Sequence, residues 1–212
     1  MRAVIFANGE LNNLETARGL LRPDDLLLAA DGGGRHCLAL GVSPAVVIGD
    51  MDSLTAEELR QLEIRGADVR RHPPRKDETD LELALLLAKE RMADEVLVLG
   101  GLGNRWDMSL ANLLLAAYPP LAGLHITFWE DGQRLFLIRD TARIEGHTGE
   151  TVSLIPVGGD AHGVTTEGLE YPLHGETLAF GGTRGVSNRM TGERAQVTLE
   201  AGLLLCVVGT SQ

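Results

Sequence analysis

The sequence predicts an α/β protein: a mostly parallel sheet with flanking helices, followed by a small all-β sandwich or barrel. Two observations carry this. From residue 1 to about 129, short apolar runs alternate with helical patterns, as in successive βαβ units. After about residue 131 the helical signal stops, and short β-rich runs alternate with glycine-containing turns. The predicted domains are 1–131 and 132–212.

The first strand is read over residues 3–7 and the second over 26–30, where Leu26-Leu27-Leu28-Ala29-Ala30 is wholly apolar. Asp31-Gly32-Gly33-Gly34 then turns into a helical stretch over 35–40. Ala45-Val46-Val47-Ile48 reads as a third, buried strand that exits into Gly49-Asp50-Met51-Asp52-Ser53. Thr55 with Glu58 three residues on is a capping box, and it opens a helix over 55–65. A weaker strand follows at 68–71. Residues 76–92 are rich in Leu, Ala, Glu and Lys, all good helix formers. The strand over 95–99 exits into Gly100-Gly101-Leu102-Gly103-Asn104-Arg105, and a helix over 109–118 stops at Pro119-Pro120. In the second domain, strands are expected over 134–138, 151–155, 176–180, 196–199 and 203–208. A β unit of this size is marginal alone and gains from packing against another surface.

Composition bounds the function. Hydrophobic residues make up 44% of the chain but aromatics only 4%, so Leu, Val, Ile and Ala must build the core. Trp106 and Trp129 are read as core residues rather than as rings that stack on a cation. The net charge is −11 and no basic stripe appears, which argues against a nucleic-acid partner. Cys37 and Cys206 sit far apart in apolar contexts and read as buried free thiols of a reducing compartment. No apolar run approaches the roughly 20 residues of a membrane helix. The apolar start of the chain is too short for a secretory leader. The expectation is a soluble, cytoplasmic protein with no membrane partner.

The acidic residues point to chemistry. Asp50 and Asp52, one residue apart on a turn, repel each other unless a cation lies between them. Hard oxygen donors favour Mg²⁺. Two solvated turn aspartates are the plainer reading, but similar acids recur at Asp31, Asp77, Asp80 and Asp107. Asp77 and Asp80, three apart, are expected on one side of a helix's first turn, where the dipole also favours them. The Asp31-Gly32-Gly33 turn lets backbone N–H groups approach an anion. It has neither the spacing of a dinucleotide fingerprint nor a phosphate-loop ending. Gly101, Gly103 and Arg105 suit phosphate oxygens. Together these residues describe a metal–nucleotide site in which Arg105 offsets charge developing during phosphoryl transfer.

Asp31-Gly32-Gly33, Gly49-Asp50-Met51-Asp52-Ser53, Lys76-Asp77-x-Thr79-Asp80, Gly101-x-Gly103-x-Arg105-x-Asp107 and Ser187-Asn188 occur in that order. In this order they resemble the thiamine pyrophosphokinase family over nearly the full length. The resemblance implies pyrophosphoryl transfer from ATP to the hydroxyethyl group of thiamine, giving thiamine diphosphate and AMP. It implies Mg²⁺ as cofactor, held by Asp50, Asp52 and Asp80, with Asp107 completing a catalytic acidic set. Asn8, Gly9, Asp31, Gly32, Gly33, Gly103 and Arg105 would face ATP. Lys76, Asp77, Thr79, Asp80, Ser187 and Asn188 would bind substrate, and Asp80 could accept the hydroxyl proton. The family is homodimeric, with thiamine held between the first domain of one subunit and the second domain of the other. This chain departs from the pattern at Met51, usually Phe, and at Met108, where many members have His. Arg189-Met190 stands where an acidic residue is common. Three rivals remain. One is a same-fold pyrophosphokinase acting on a pterin alcohol, and another is a Mg-ATP-binding sensor without turnover. The third is an aspartyl phosphatase, disfavoured because its D-x-D would follow the first strand, not the third.

Overall fold

The computed structural model describes residues 1–209; residues 210–212, the last three of the predicted second domain, lie outside the described residues. The chain divides into two compact units, Met1–Asp131 and Gly132–Gln212.

In the first unit, β1 (Arg2–Phe6), β2 (Leu26–Ala30), β3 (Val46–Gly49), β4 (Asp68–Arg71), β5 (Glu95–Leu99) and β6 (His125–Glu130) pair in the order β6-β5-β1-β2-β3-β4. Every pairing is parallel. β1 is therefore central, and successive crossovers leave it first on one side, through β2, β3 and β4, and then on the other, through β5 and β6. The two directions part between β1 and β5, and such a switch point opens a crevice beyond the carboxyl ends of the strands.

Helices cover both faces. Residues Ala3–Phe6 within β1 are all fully buried, as expected of a strand sandwiched between helical layers. Side chains alternate across the sheet. Val4 and Phe6 pack in a cluster with Ala17 of α1 (Leu14–Gly19), Cys37 and Leu40 of α2 (Gly34–Leu40), and Leu59 and Leu62 of α3 (Ala56–Ile64). On the opposite face α4 (Asp80–Glu90) packs against β1, β2 and β3 and also meets α5 (Trp106–Leu115). Local chemistry sets where the helices begin. Asn13 Oδ1 accepts from Thr16 N at 2.9 Å, and Thr55 with Glu58 forms the expected reciprocal box. Thr79 Oγ1 accepts from Glu82 N at 3.2 Å.

The second unit contains two antiparallel sheets. One has the order β12-β9-β14-β7, from Asn188–Arg189, Thr151–Pro156, Leu204–Gly209 and Gln133–Ile138. The other has β11-β10-β13-β8, from Glu176–Leu178, Ala161–Glu167, Arg194–Thr198 and Thr141–Glu145. Alternate residues such as Val152 and Leu154, Val164, Val197, and Leu204, Cys206 and Val208 bury into one aliphatic core. β8, β10 and β12 were not expected, and neither were α1 and β6. β10 is mostly polar and carries Gly163 at φ +64°, so it lacks an apolar run such as that of β2 or β14.

Both cysteines are free and buried, and burial pushes each thiol up to about 12. Trp129 is in the core as expected, whereas Trp106 is 83% exposed at the start of α5. No described helix is long and apolar enough to cross a membrane.

Candidate active site

The carboxyl ends of β1, β2, β3 and β5 enclose a cavity of about 480 Å³. Three turns build its acidic wall. At the end of β2, Asp31 turns the chain into a 3₁₀ turn with a left-handed φ of +44°, and its side chain is buried. At the end of β3, Met51 has φ +65°. That conformation sends its side chain down into the core and leaves Asp50 and Asp52 at the cavity. The turn is tied internally: Asp52 N donates to Asp50 Oδ1 at 3.2 Å, and Ser53 Oγ donates to Asp52 Oδ1 at 3.0 Å. Asn8 Nδ2 in turn donates to Ser53 Oγ at 3.1 Å, and Arg35 donates to the Ser53 carbonyl.

Asp31, Asp50 and Asp52 each offer an oxygen within 4.8 Å of the others. Asp31 Oδ1 is buried without a hydrogen-bond partner among the described residues. Three clustered carboxylates with an orphaned oxygen are a poor arrangement for protein alone and a good one for a hard divalent ion. The grouping differs from the expected Asp50–Asp52–Asp80 set. Asp80 is adjacent, but its Oδ1 lies 3.0 Å from Lys76 Nζ in an ion pair. Burial raises the Asp80 carboxyl; Lys76 opposes this, and the Asp31 and Asp50 charges add to it. Gly49, at φ +151°, lets these acids converge: a Cβ there would stand 2.9 Å from Asp31 Cβ and 3.0 Å from Asp80 Cγ.

The opposite wall is the turn after β5. Gly9 N donates to Gly100 O at 2.8 Å, and a Cβ at Gly9 would meet the carbonyl oxygen of Gly100 and, at 2.6 Å, that of Leu102. Asn112 Nδ2 donates to Gly101 O at 2.6 Å. Ser109 Oγ accepts from Gly103 N at 3.0 Å and lies 3.1 Å from Gly103 O. His36 Nε2 donates to Gly9 O at 2.8 Å, and burial lowers the ring's pKa.

Of the expected residues, Asn8, Gly9, Asp31, Asp50, Asp52, Thr79, Asp80, Gly103 and Arg105 line the cavity. Gly32 and Gly33 do not. A Cβ at Gly32 would collide with the Asn8 amide, and one at Gly33 with the Phe6 carbonyl, so these glycines serve close packing of the turn against β1. Asp77 is exposed and precedes α4, because Thr79, not Asp77, is the cap; Asp77 and Asp80 therefore do not share a first turn. Lys76 lies outside the lining and meets it only through its ion pair with Asp80. Asp107 is exposed and outside the lining, with its Oδ2 2.5 Å from Arg105 Nη2; that bond holds its carboxyl low. In the second unit Ser187 is exposed at φ +61°. Asn188 is buried and spends its amide on Tyr171: Oδ1 accepts from Tyr171 N at 3.0 Å and Nδ2 donates to Tyr171 O at 2.7 Å. Glu10, Asn104, Met108, Ser109 and Asn112 line the cavity without having been expected there. A helix-borne Ser and Asn six and nine positions after Gly103 carry no motif signal.

Fold and site define a class: α/β proteins that gather oxygen donors at a switch-point crevice opposite a glycine-rich turn. Residues 17–127 match the family described as thiamin pyrophosphokinase, catalytic domain, and residues 140–204 match thiamin pyrophosphokinase, vitamin B1 binding domain. Thiamine pyrophosphokinase of Bacillus subtilis is 28% identical over 97% of both chains. Thiamine pyrophosphokinase 1 of Arabidopsis thaliana is 31% identical over 84% of this chain and 76% of its own. The crystal structure of the Bacillus subtilis protein superposes with a TM-score of 0.90 over the whole of both chains. The chain belongs to the thiamin pyrophosphokinase family.

Proposed function

We propose that this chain is a thiamine pyrophosphokinase, transferring a pyrophosphoryl group from ATP to the hydroxyl of thiamine to give thiamine diphosphate and AMP. One observation carries the reading. The three carboxylates of Asp31, Asp50 and Asp52 converge opposite the Gly100–Gly103 turn, in a chain matching both the catalytic and the vitamin B1 binding families. The Asp31, Asp50 and Asp52 oxygens would hold Mg²⁺, with Asp80 beside them. Bound there, the ion supplies neutralising charge and Lewis acidity to polyphosphate oxygens.

The other residues act directly. The turns at Gly9 and Gly103 bring the backbone close to phosphate oxygens, and Arg105, tethered by Asp107, offsets charge spread over them in a loose transition state. Asp80 takes the hydroxyl proton, a role that its raised pKa suits. Holding alcohol and phosphorus in line supplies much of the rate. In this reading Met1–Asp131 is the nucleotide and metal unit, and the following β unit contributes to thiamine binding and a homodimer interface, Ser187 and Asn188 included. The resemblance to the family supports that shared arrangement.

The test is to incubate the protein with Mg-ATP and thiamine and follow AMP and thiamine diphosphate together. Equimolar formation of both, abolished by EDTA, is the expected result. ATP bound with neither product formed would overturn it.

A further inference from the structure

Helix α2 meets both walls of the cavity through adjacent residues of its first turn. The helix is a firm base. Cys37 and Leu40 are buried in the core cluster with Leu59 and Leu62 of α3, and a Cβ at Gly33, just before the helix, would press into the Phe6 carbonyl at the end of β1. From this base Arg35 Nε donates to Glu58 Oε1 at 2.8 Å and its guanidinium reaches the Ser53 carbonyl, so it holds the turn that carries Asp50 and Asp52. His36 serves the other wall, with its Nε2 2.8 Å from Gly9 O. A carbonyl oxygen only accepts, so Nε2 carries the proton. Gly9 passes the tie on, because its N–H donates to Gly100 O at 2.8 Å. Gly100 is close to both, at φ +64°: a Cβ there would stand 3.2 Å from Gly9 O and 3.4 Å from His36 Nε2. One imidazole edge therefore lies where two glycine turns meet, and both turns line the cavity.

We propose that His36 is a positioning residue: its Nε2–H fixes the Gly9 turn, and through it the Gly100–Gly103 turn, where the backbone comes close to phosphate oxygens. The inference rests on the reading of this wall as the phosphate side. His36 is outside the cavity lining, so it acts through Gly9 and not on the nucleotide itself. A turn held in place before binding loses less freedom when the nucleotide arrives, and the difference appears as affinity. The two walls have separate holders on α2. Loss of the His36 bond therefore weakens the grip on nucleotide and spares the divalent ion, whose turn is tied by Arg35, Asn8 and Ser53.

His36→Gln keeps an N–H donor at the same remove from the backbone, whereas His36→Phe keeps a ring and loses the donor. Calorimetry with Mg-ATP, without thiamine, should give a Kd on the order of threefold to tenfold weaker in His36→Phe, the range of one net hydrogen bond. His36→Gln should bind within about twofold of wild type. The rise in Tm that Mg²⁺ alone produces should be the same in all three proteins. Wild-type affinity in His36→Phe, no recovery in His36→Gln, or loss of the Mg²⁺ shift along with ATP binding overturns the inference. One readout needs no variant: at pH 8 the long-range ¹H–¹⁵N spectrum of the wild-type ring should show His36 protonated at Nε2, and protonation at Nδ1 instead overturns the inference whether or not the variants fold. If ATP binds none of the three proteins, the phosphate reading of the wall falls instead. Hydrogen exchange of the Gly9 amide then decides whether His36 holds the turn: faster exchange in His36→Phe, restored in His36→Gln, supports it, and equal exchange in all three overturns it.

Discussion

Asp31 is where folding and ligand chemistry pull apart. It is buried, left-handed in backbone, and within reach of two further carboxylates, with one oxygen unpartnered. Each of these costs stability in the metal-free protein and each suits a cation. Asp31→Asn should melt at or above wild type in EDTA, lose most of the rise in Tm that Mg²⁺ produces in wild type, and turn over at least about 100-fold more slowly, as for loss of one preorganised electrostatic group. Wild-type turnover in a folded variant would remove Asp31 from the metal set. Gly49 makes the same point sterically. Gly49→Ala forces a Cβ against Asp31 and Asp80 at a φ that L residues rarely adopt. It should cost about 1–3 kcal/mol in urea unfolding and weaken Mg²⁺ binding, while a serine change at the open Gly19 does neither.

At the scale of elements, pairing between the ends of strands fixes the sheet. Arg2 at the start of β1 reaches Asp25 before β2, with Nη2–Oδ2 2.6 Å and the Asp25 side chain only 1% exposed. Burial alone would raise the Asp25 carboxyl, but the bonds from Arg2 and the Arg22 amide, with their charges, bring it below its usual value. A depressed carboxylate contributes stability above its unfolded pKa, near 3.8, which is lost as pH falls through the lower folded value. Arg2→Met should cost about 3 kcal/mol at pH 7, and the deficit should shrink below pH 4, as measured by chemical denaturation across pH. An unchanged deficit at pH 2 would show that the loss is one of packing. The elements themselves were largely legible in the sequence, because Ala45–Ile48-type apolar runs and the Thr55 box are local signals. The start of α4 was misjudged because Asp77 and Thr79 are both good caps, and only tertiary position selects Thr79. Asp31 was read into the same acidic site as Asp50 and Asp52, but its oxygen converging with theirs in place of Asp80 was not legible. It follows from β2 lying beside β3, a fact about pairing rather than about any window of residues. Asn188 carried a family signal, but its bonds to Tyr171 depend on a contact 17 residues away.

For the whole molecule, the strand order has a temporal consequence. β1 pairs with β2 on one edge and with β5 on the other, and nearly ninety residues separate β1 from β5. During synthesis, β1 can join β2, β3 and β4 while its second edge still offers a row of free N–H and C=O groups, on a strand without a single buried charge. A chain ending at Met92, before β5, should therefore self-associate. Sedimentation should find it in large species; a monomeric 1–92 piece would show that α4 alone shields the edge. The same delay governs competence. One wall of the crevice is made early and the other cannot exist until residues 100–103 arrive, so nascent chains should acquire metal affinity well before they can grip a nucleotide.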